Sequence, residues 1–169
     1  QMKKQLSVLT WNIWFDDIEF TRRYDHILDT ITELQPDVAC LQEVIPPFLK
    51  LLLRRRDLLE MYDVSDPDLN GDTMQGYVVM TLAKKELHAY FEFHEFPTRM
   101  GRKLLLTVLS PEVTGPNSNF VVGNVHLESL DNHPTREAQL SVCANVFSKY
   151  DNYVLMGDYN FCSYRNYSG

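Results

Sequence analysis

The stretch VACLQ at residues 38–42, which runs directly into Glu43, decides the fold class of this chain. Nearly all of its residues are apolar, and a short, almost continuous apolar run is typical of a strand that is buried on both faces. Residues 22–34 carry apolar side chains at helical spacing, and Pro36 predicts the end of that helix. Residues 6–11, LSVLTW, predict a first strand that ends at Asn12. A helix is therefore expected between two strands in this part of the chain.

The rest of the chain mixes helices and strands in the same way. Pro46-Pro47 predicts the start of a second helix, with leucines and a phenylalanine of residues 48–59 on its apolar face. Further strands are predicted at residues 77–82, 87–96, 103–109, 120–126 and 153–156, a helix at 135–150, and loops at 63–75 and 111–119. The middle strands have the order of antiparallel hairpins. Since no repeat or linker interrupts the pattern, we predict a single α/β or α+β domain over residues 1–169, with a mixed sheet.

The composition limits the classes of function. The net charge of −7 argues against a protein that coats nucleic acid regardless of sequence, because such proteins are usually basic. Nucleic-acid contacts would have to come from local clusters, either the three arginines of residues 54–56 or Arg99 with Arg102 and Lys103. No apolar run approaches the roughly 18 residues of a membrane span. Without a signal peptide or a disulfide framework, the sequence predicts an intracellular protein of the cytoplasm and/or nucleus.

Polar residues stand where the predicted strands end, and these residues are the candidate site: Asn12, Glu43, His126, Asp158 and Asn160. In α/β sheets, ligands bind beyond the carboxyl ends of the strands, where parallel neighbours would collect such side chains on one rim. Carboxylates and amides suit a hard cation such as Mg²⁺, together with a phosphate. Taken singly, however, such a residue is more often a turn cap or a structural histidine, and only the coincidence of all five favours a site. The pattern alone leaves both interpretations open.

Four strings in this order add a resemblance to a known family. They are TWNI at residues 10–13, LQEV at 41–44, HLES at 126–129 and GDYN at 157–160. Together they resemble the ordered signatures of the endonuclease/exonuclease/phosphatase family. Residues 45–47, IPP, and residues 96–102, FPTRMGR, are similar to strings of its tyrosyl-DNA phosphodiesterase branch.

The resemblance implies a fold and an activity. The implied fold is a DNase I-like four-layered α/β/β/α sandwich with mixed sheets, of which this chain would be the N-terminal portion. The implied activity is that of a Mg²⁺-dependent phosphoric ester hydrolase of the phosphodiesterase or nuclease type, with Mn²⁺ as an alternative metal. Its substrate would be nucleic acid or another phosphoester, such as 5′-tyrosyl-DNA or related nucleic-acid ends.

The resemblance also implies roles for individual residues. Glu43 would bind the metal, and Asp158 would align and deprotonate the attacking water. Asn12 and Asn160 would orient metal-bound water or phosphate oxygens, and His126 would contact the phosphate. Ser129 and Arg102 are the further phosphate- or substrate-binding positions. This chemistry is physically consistent, because a phosphodiester needs charge neutralisation by a cation and hydrogen-bond donors around its oxygens.

The sequence departs from the family in three places. The Ser-Asp-His string that ends the family pattern does not occur, so we expect a missing C-terminal segment or a partner chain to complete the fold. Trp14-Phe15 and Leu130-Asp131 differ from the tyrosyl-DNA branch, which leaves the substrate open. The alternative to an enzyme is therefore a binding or scaffold fragment that keeps the metal and phosphate site without the terminal catalytic histidine. A third interpretation is a sandwich whose polar strand ends only cap turns.

Overall fold

Two mixed sheets form the centre of the structure, a computed structural model that describes residues 5–66, 76–115 and 120–162. The first sheet contains, in spatial order, β1 (Val8–Asn12), β2 (Val38–Val44), β4 (Val78–Lys84) and β3 (Tyr62–Val64). The second contains β5 (Tyr90–Glu95), β6 (Lys103–Val108), β7 (Phe120–His126) and β8 (Asn152–Asp158). The pairs β1–β2 and β7–β8 are parallel, and all other neighbours are antiparallel.

Helices cover the outer face of each sheet. The outer helices are α1 (Phe20–Leu34), α2 (Pro46–Leu52), α3 (Arg56–Met61) and α5 (His133–Phe147), whereas the short α4 (Pro111–Thr114) packs Val113 among residues between the sheets. Alternation along each strand decides which face a residue joins. In β2, Ala39 and Leu41 pack against α1, α2 and α3, whereas Val38 and Cys40 face the second sheet. Phe147 of α5 packs on the outer face of the second sheet. The predicted four-layered α/β/β/α arrangement with mixed sheets is therefore confirmed.

Two local predictions differ from the structure. The single helix expected after Pro46-Pro47 is two helices, because Arg55 leaves the helical backbone and forms ion pairs with Asp29 and Asp57. The strands β4 and β5 do not form a hairpin but lie in different sheets. A 3₁₀ turn at Lys85–Leu87, followed by His88 with a φ of 45°, redirects the chain between them.

Two predicted loops also begin within regular secondary structure. The loop predicted at residues 63–75 begins inside β3, and residues 67–75 lie outside the described part of the chain. The turn predicted at residues 111–119 begins with α4, and residues 116–119 are likewise not described. In the described part of the chain, no helix has the length and apolar character needed to cross a membrane.

A buried hydrogen-bond network joins the two sheets. The side-chain amide of Gln42 donates to Asn124 Oδ1 over 2.8 Å, and both residues are buried. Asn124 Nδ2 in turn donates to the carbonyl oxygens of Leu41 and Met80 in the first sheet. A buried amide is costly unless its partners are in place, so only one relative position of the sheets satisfies this network. Because Gln42 precedes Glu43, and Asn124 lies two residues before His126, the network also aligns two candidate site residues.

We predict that Asn124→Ala destabilises the protein by roughly 1–3 kcal/mol, because it leaves buried partners in the facing sheet without a hydrogen bond. Chemical denaturation followed by circular dichroism measures the change. Asn145→Ala, at an exposed position of α5, is the matched control and should alter stability by no more than about 0.5 kcal/mol. Equal effects of the two substitutions would show that the network does not hold the sheets together.

Candidate active site

Four strand ends meet at one rim of the sandwich and bring together Asn12, Glu43, His126 and Asp158. Asn12 Nδ2 donates to Asp158 Oδ2 over 2.8 Å and to Glu43 Oε1 over 3.1 Å. His126 Nε2 lies 3.8 Å from a carboxylate oxygen of each acid. Two of these strands belong to each sheet, so the cluster spans the boundary between the sheets. The structure thus brings four of the predicted residues into one cluster.

Glu43 reaches this rim because β2 contains a bulge. The register of β2 against β4 shifts between Leu41 and Val44, and Glu43 has a φ of 61°. In regular alternation Glu43 would follow Leu41 toward the helices, since Gln42 faces the second sheet. A bulge inserts a residue and re-aims its side chain. The Glu43 carboxylate is also held from outside, because the Phe15 backbone N–H donates to its Oε2 over 3.1 Å.

Asp158 is held by the residues on both sides of it in the chain. A Cβ atom on Gly157 would lie 1.9 Å from the carbonyl oxygen of Val125, and Gly157 has a φ of 139°, so only glycine fits before the aspartate. After it, the Asn160 backbone N–H donates to Asp158 Oδ1 over 2.8 Å. The Asn160 side chain donates to the carbonyl oxygen of Leu127. In this structure Asn160 therefore orients Asp158 and ties β8 to the end of β7.

Arg102 lies directly behind His126. Its Nη1 is 2.8 Å from His126 Nδ1, and its guanidinium lies 4.9 Å from the centre of the Tyr77 ring. Burial and the positive charge of Arg102 lower the pKa of His126 to about 4, although Asp158 and Glu43 oppose that change. His126 is therefore neutral at pH 7. Burial also lowers the pKa of Arg102. Arg102 nevertheless keeps its charge, because arginine is not deprotonated in proteins.

The loop that carries Arg102 is anchored by Glu128, a residue to which the sequence analysis assigned no role. Glu128 is fully buried, and its carboxylate accepts hydrogen bonds from Thr98 Oγ1, the Arg99 backbone N–H and Gln139 Nε2. The HLES string contains Glu128, but only the fold shows its partners. Ser129, the next residue, donates its hydroxyl to the sulfur of Met100 on the same loop. The loop anchored by Glu128 thus carries Arg102 and contacts Ser129.

The donor set fits a single hard cation held by few protein ligands. Within residues 5–66, 76–115 and 120–162, no group of three or more His, Cys, Asp and Glu side chains has metal-site geometry. Mg²⁺ does not need such a group, because one or two carboxylates plus water and substrate oxygens suffice. The Glu43 and Asp158 carboxylates converge on the Asn12 amide beside a neutral imidazole. This concentration of negative charge at a rim favours a cation, and both carboxylates are placed where they could bind one.

Comparison with known proteins identifies relatives of this chain. The chain is 29% identical over 129 residues to mouse (Mus musculus) tyrosyl-DNA phosphodiesterase 2, covering 76% of this chain and 32% of the relative. It therefore spans about a third of the length of that curated relative. The humanised D. rerio tyrosyl-DNA phosphodiesterase 2 superposes with a TM-score of 0.77 at 25% identity, covering 96% of this chain and 69% of that one.

A second D. rerio structure, of the enzyme complexed with a single-strand DNA product, shares the fold with a TM-score of 0.73 at 23% identity, covering 98% of this chain and 65% of that one. The predicted DNase I-like fold is thus confirmed by solved structures. The profile of the Endonuclease/Exonuclease/phosphatase family matches residues 9–167. The chain accordingly belongs to the endonuclease/exonuclease/phosphatase family.

Proposed function

We propose that this chain carries the catalytic residues of a divalent-metal-dependent phosphodiesterase that acts on nucleic acid. One observation carries the proposal. Four different strands bring together the side chains of Glu43, Asp158, Asn12 and His126, with 2.8 to 3.8 Å between their polar atoms. The relatives are tyrosyl-DNA phosphodiesterases, and one solved relative is complexed with single-strand DNA product. A 5′-tyrosyl DNA end is therefore the first substrate to test.

Glu43 and Asp158 take different tasks in this proposal. Glu43 holds the cation, Mg²⁺ or Mn²⁺, which when bound neutralises phosphate charge and stabilises the charge that develops during attack. Asp158 orients the attacking water and accepts its proton. Both Asp158 oxygens already accept hydrogen bonds, from Asn12 and from the Asn160 backbone, which fixes the direction of the remaining lone pairs. A base held in a fixed orientation raises the rate, because no entropy is lost in orienting it during the reaction.

His126 acts as a neutral hydrogen-bond donor to a phosphoryl oxygen. The guanidinium of Arg102 can only donate, so His126 Nδ1 must accept and the ring proton resides on Nε2. This assignment follows from the hydrogen-bond network. Nε2–H then faces the space between Glu43 and Asp158, where a phosphate would lie. A pre-positioned donor of this kind stabilises a developing oxyanion. Arg102 supplies positive charge behind the ring, and Ser129 is a second donor near the same loop.

We predict that Glu43→Gln and Asp158→Asn each lower Mg²⁺-dependent phosphodiester hydrolysis by about 10²-fold or more, as expected for loss of a metal ligand or a general base. The intact protein would be assayed with bis(4-nitrophenyl) phosphate and with a 5′-tyrosyl oligonucleotide. Glu60→Gln, an exposed acid on α3, is the matched control and should retain wild-type rates.

Two results would contradict the proposal. Retained hydrolysis in both variants, or rates unaffected by a chelator, would exclude the assigned site. Metal binding by the wild-type protein without any hydrolysis would instead identify the alternative, a binding module without turnover. Hydrolysis separates the two cases, and isothermal titration with Mn²⁺ tests the metal site in both, because Glu43→Gln should weaken metal binding with or without turnover.

We predict that nitrogen NMR of the metal-free protein finds His126 neutral at pH 6.5, with the proton on Nε2. In Arg102→Met, the pKa of His126 should rise, because a positive neighbour that disfavours imidazolium is gone. Arg54→Met removes an exposed arginine and should leave the His126 resonances unchanged. An Nδ1–H tautomer in the wild-type protein would overturn the assigned donor role.

The lowered pKa also predicts how the metal-free protein responds to acid. The unfolded state binds a proton at the ordinary pKa of 6.5, whereas the folded state does so only near 4. The stability contributed by neutral His126 is therefore complete above pH 6.5 and is lost as the pH falls toward 4. His126→Gln should show a shallower fall in the free energy of unfolding across this window, measured by urea denaturation. Equal slopes would contradict the shift.

A further inference from the structure

An aromatic pair stands directly beyond the first strand of the site. Trp14 and Phe15 follow Asn12 by two and three residues, and each is 46% exposed. Large exposed rings cost solvation energy, and a cluster of them at the edge of a site commonly marks a binding surface. Trp14 also has a φ of 60°, a left-handed conformation that is unfavourable for a bulky residue. Backbone strain of this kind clusters at ligand-binding positions.

The loop that carries these rings is held rigidly by Arg23. The guanidinium donates to the carbonyl oxygens of Ile13, Trp14, Asp16 and Ile18. It also lies 4.8 Å from the centre of the Trp14 ring. One cation therefore satisfies four backbone carbonyls of the loop and covers one face of the indole. Since several bonds over-determine the loop, the rings are held in place before any ligand arrives.

The same loop is connected to the catalytic residues. The backbone N–H of Trp14 donates to Asn12 Oδ1 over 2.9 Å, and that of Phe15 donates to Glu43 Oε2 over 3.1 Å. The Phe15 ring stacks on Tyr77 with 4.8 Å between centroids and 16° between planes. The Phe15 and Tyr77 rings thus form an aromatic wall. This wall starts one hydrogen bond away from Glu43, the proposed metal-binding carboxylate.

We propose that Phe15, backed by Tyr77 and flanked by Trp14, forms a stacking platform for the unpaired nucleobase of the nucleotide that carries the scissile phosphate. This inference rests on the proposed phosphodiesterase function and adds to it the residues that hold the base beside the scissile phosphate. A nucleotide contains both a phosphate and a flat aromatic base. The proposed phosphate position between Glu43 and Asp158 likewise lies beside flat aromatic rings. Stacking is tolerant of sequence because every base has a π-face, but a base within a duplex is already stacked on its neighbours.

Matched substrates test the platform. The intact protein would be given a single-stranded oligodeoxynucleotide with a base at the nucleotide bearing the scissile phosphate, and the same strand with an abasic analogue there. The wild-type protein should favour the base by roughly tenfold in kcat/KM, the worth of one stacked base. In Phe15→Leu this ratio should fall toward one, whereas Phe15→Tyr keeps a ring and should preserve it. Tyr90→Leu, at an exposed aromatic residue of β5, is the control that should preserve the ratio.

Several results would overturn the platform. Absence of a base preference in the wild-type protein would do so while leaving hydrolysis, and hence the proposed function, intact. Equal loss on both strands in Phe15→Leu, with the ratio unchanged, would show that the ring only supports Glu43. A changed preference between tyrosyl and methyl leaving groups, without a changed base preference, would assign the ring to the leaving group instead.

A binding measurement keeps the test independent of turnover. If no strand is cleaved, the proposed function fails, and fluorescence anisotropy with the two strands still reports on the platform. Tighter binding of the base-containing strand, lost in Phe15→Leu and kept in Phe15→Tyr, supports it. Equal affinities for both strands in the wild-type protein refute it.

Discussion

The hydrogen bond between Gln42 and Asn124 across the two sheets is the contact on which the rest of the site depends. Each sheet contributes half of the candidate site, with Asn12 and Glu43 on one and His126 and Asp158 on the other. Apolar packing between the sheets is non-directional and would tolerate small sliding movements. A buried amide pair does not tolerate them, because each displaced group would lose a partner in a dry environment. The sheets are thus fixed at the spacing that the site needs.

The backbone around the site is strained in a way that the rest of the chain compensates. Three non-glycine residues with positive φ, Trp14, Glu43 and Asn160, lie at or beside the cluster. Each left-handed residue costs of order 1–3 kcal/mol and persists only where its surroundings over-determine it. Arg23 supports the first loop, the β2 bulge supports Glu43, and the contact to Leu127 supports Asn160. The stability of the two sheets therefore maintains side-chain directions that regular strands would not provide.

The electrostatics divide the site into two halves. At the rim, two carboxylates converge on one amide, which favours a cation. Behind them, burial and the charge of Arg102, which lies against Tyr77, keep His126 neutral. A cation in front and a guanidinium behind would enclose a phosphate between positive charges, although the chain as a whole has a net charge of −7. Binding of a phosphate would thus depend on the charges beside the site and not on the net charge of the chain.

The sequence alone determined the order of the longer elements, the family resemblance and the candidate residues at the strand ends, because hydrophobic periodicity and four ordered strings depend only on neighbouring positions. Tertiary structure decided what depends on distant contacts. The separation of β4 and β5 into different sheets, the carbonyl cluster around Arg23 and the role of Glu128 join residues that the sequence leaves apart. The bulge at Glu43 also follows from pairing with β4 rather than from local preference. Local pattern therefore identifies the candidate side chains, whereas packing between the sheets decides their direction and charge.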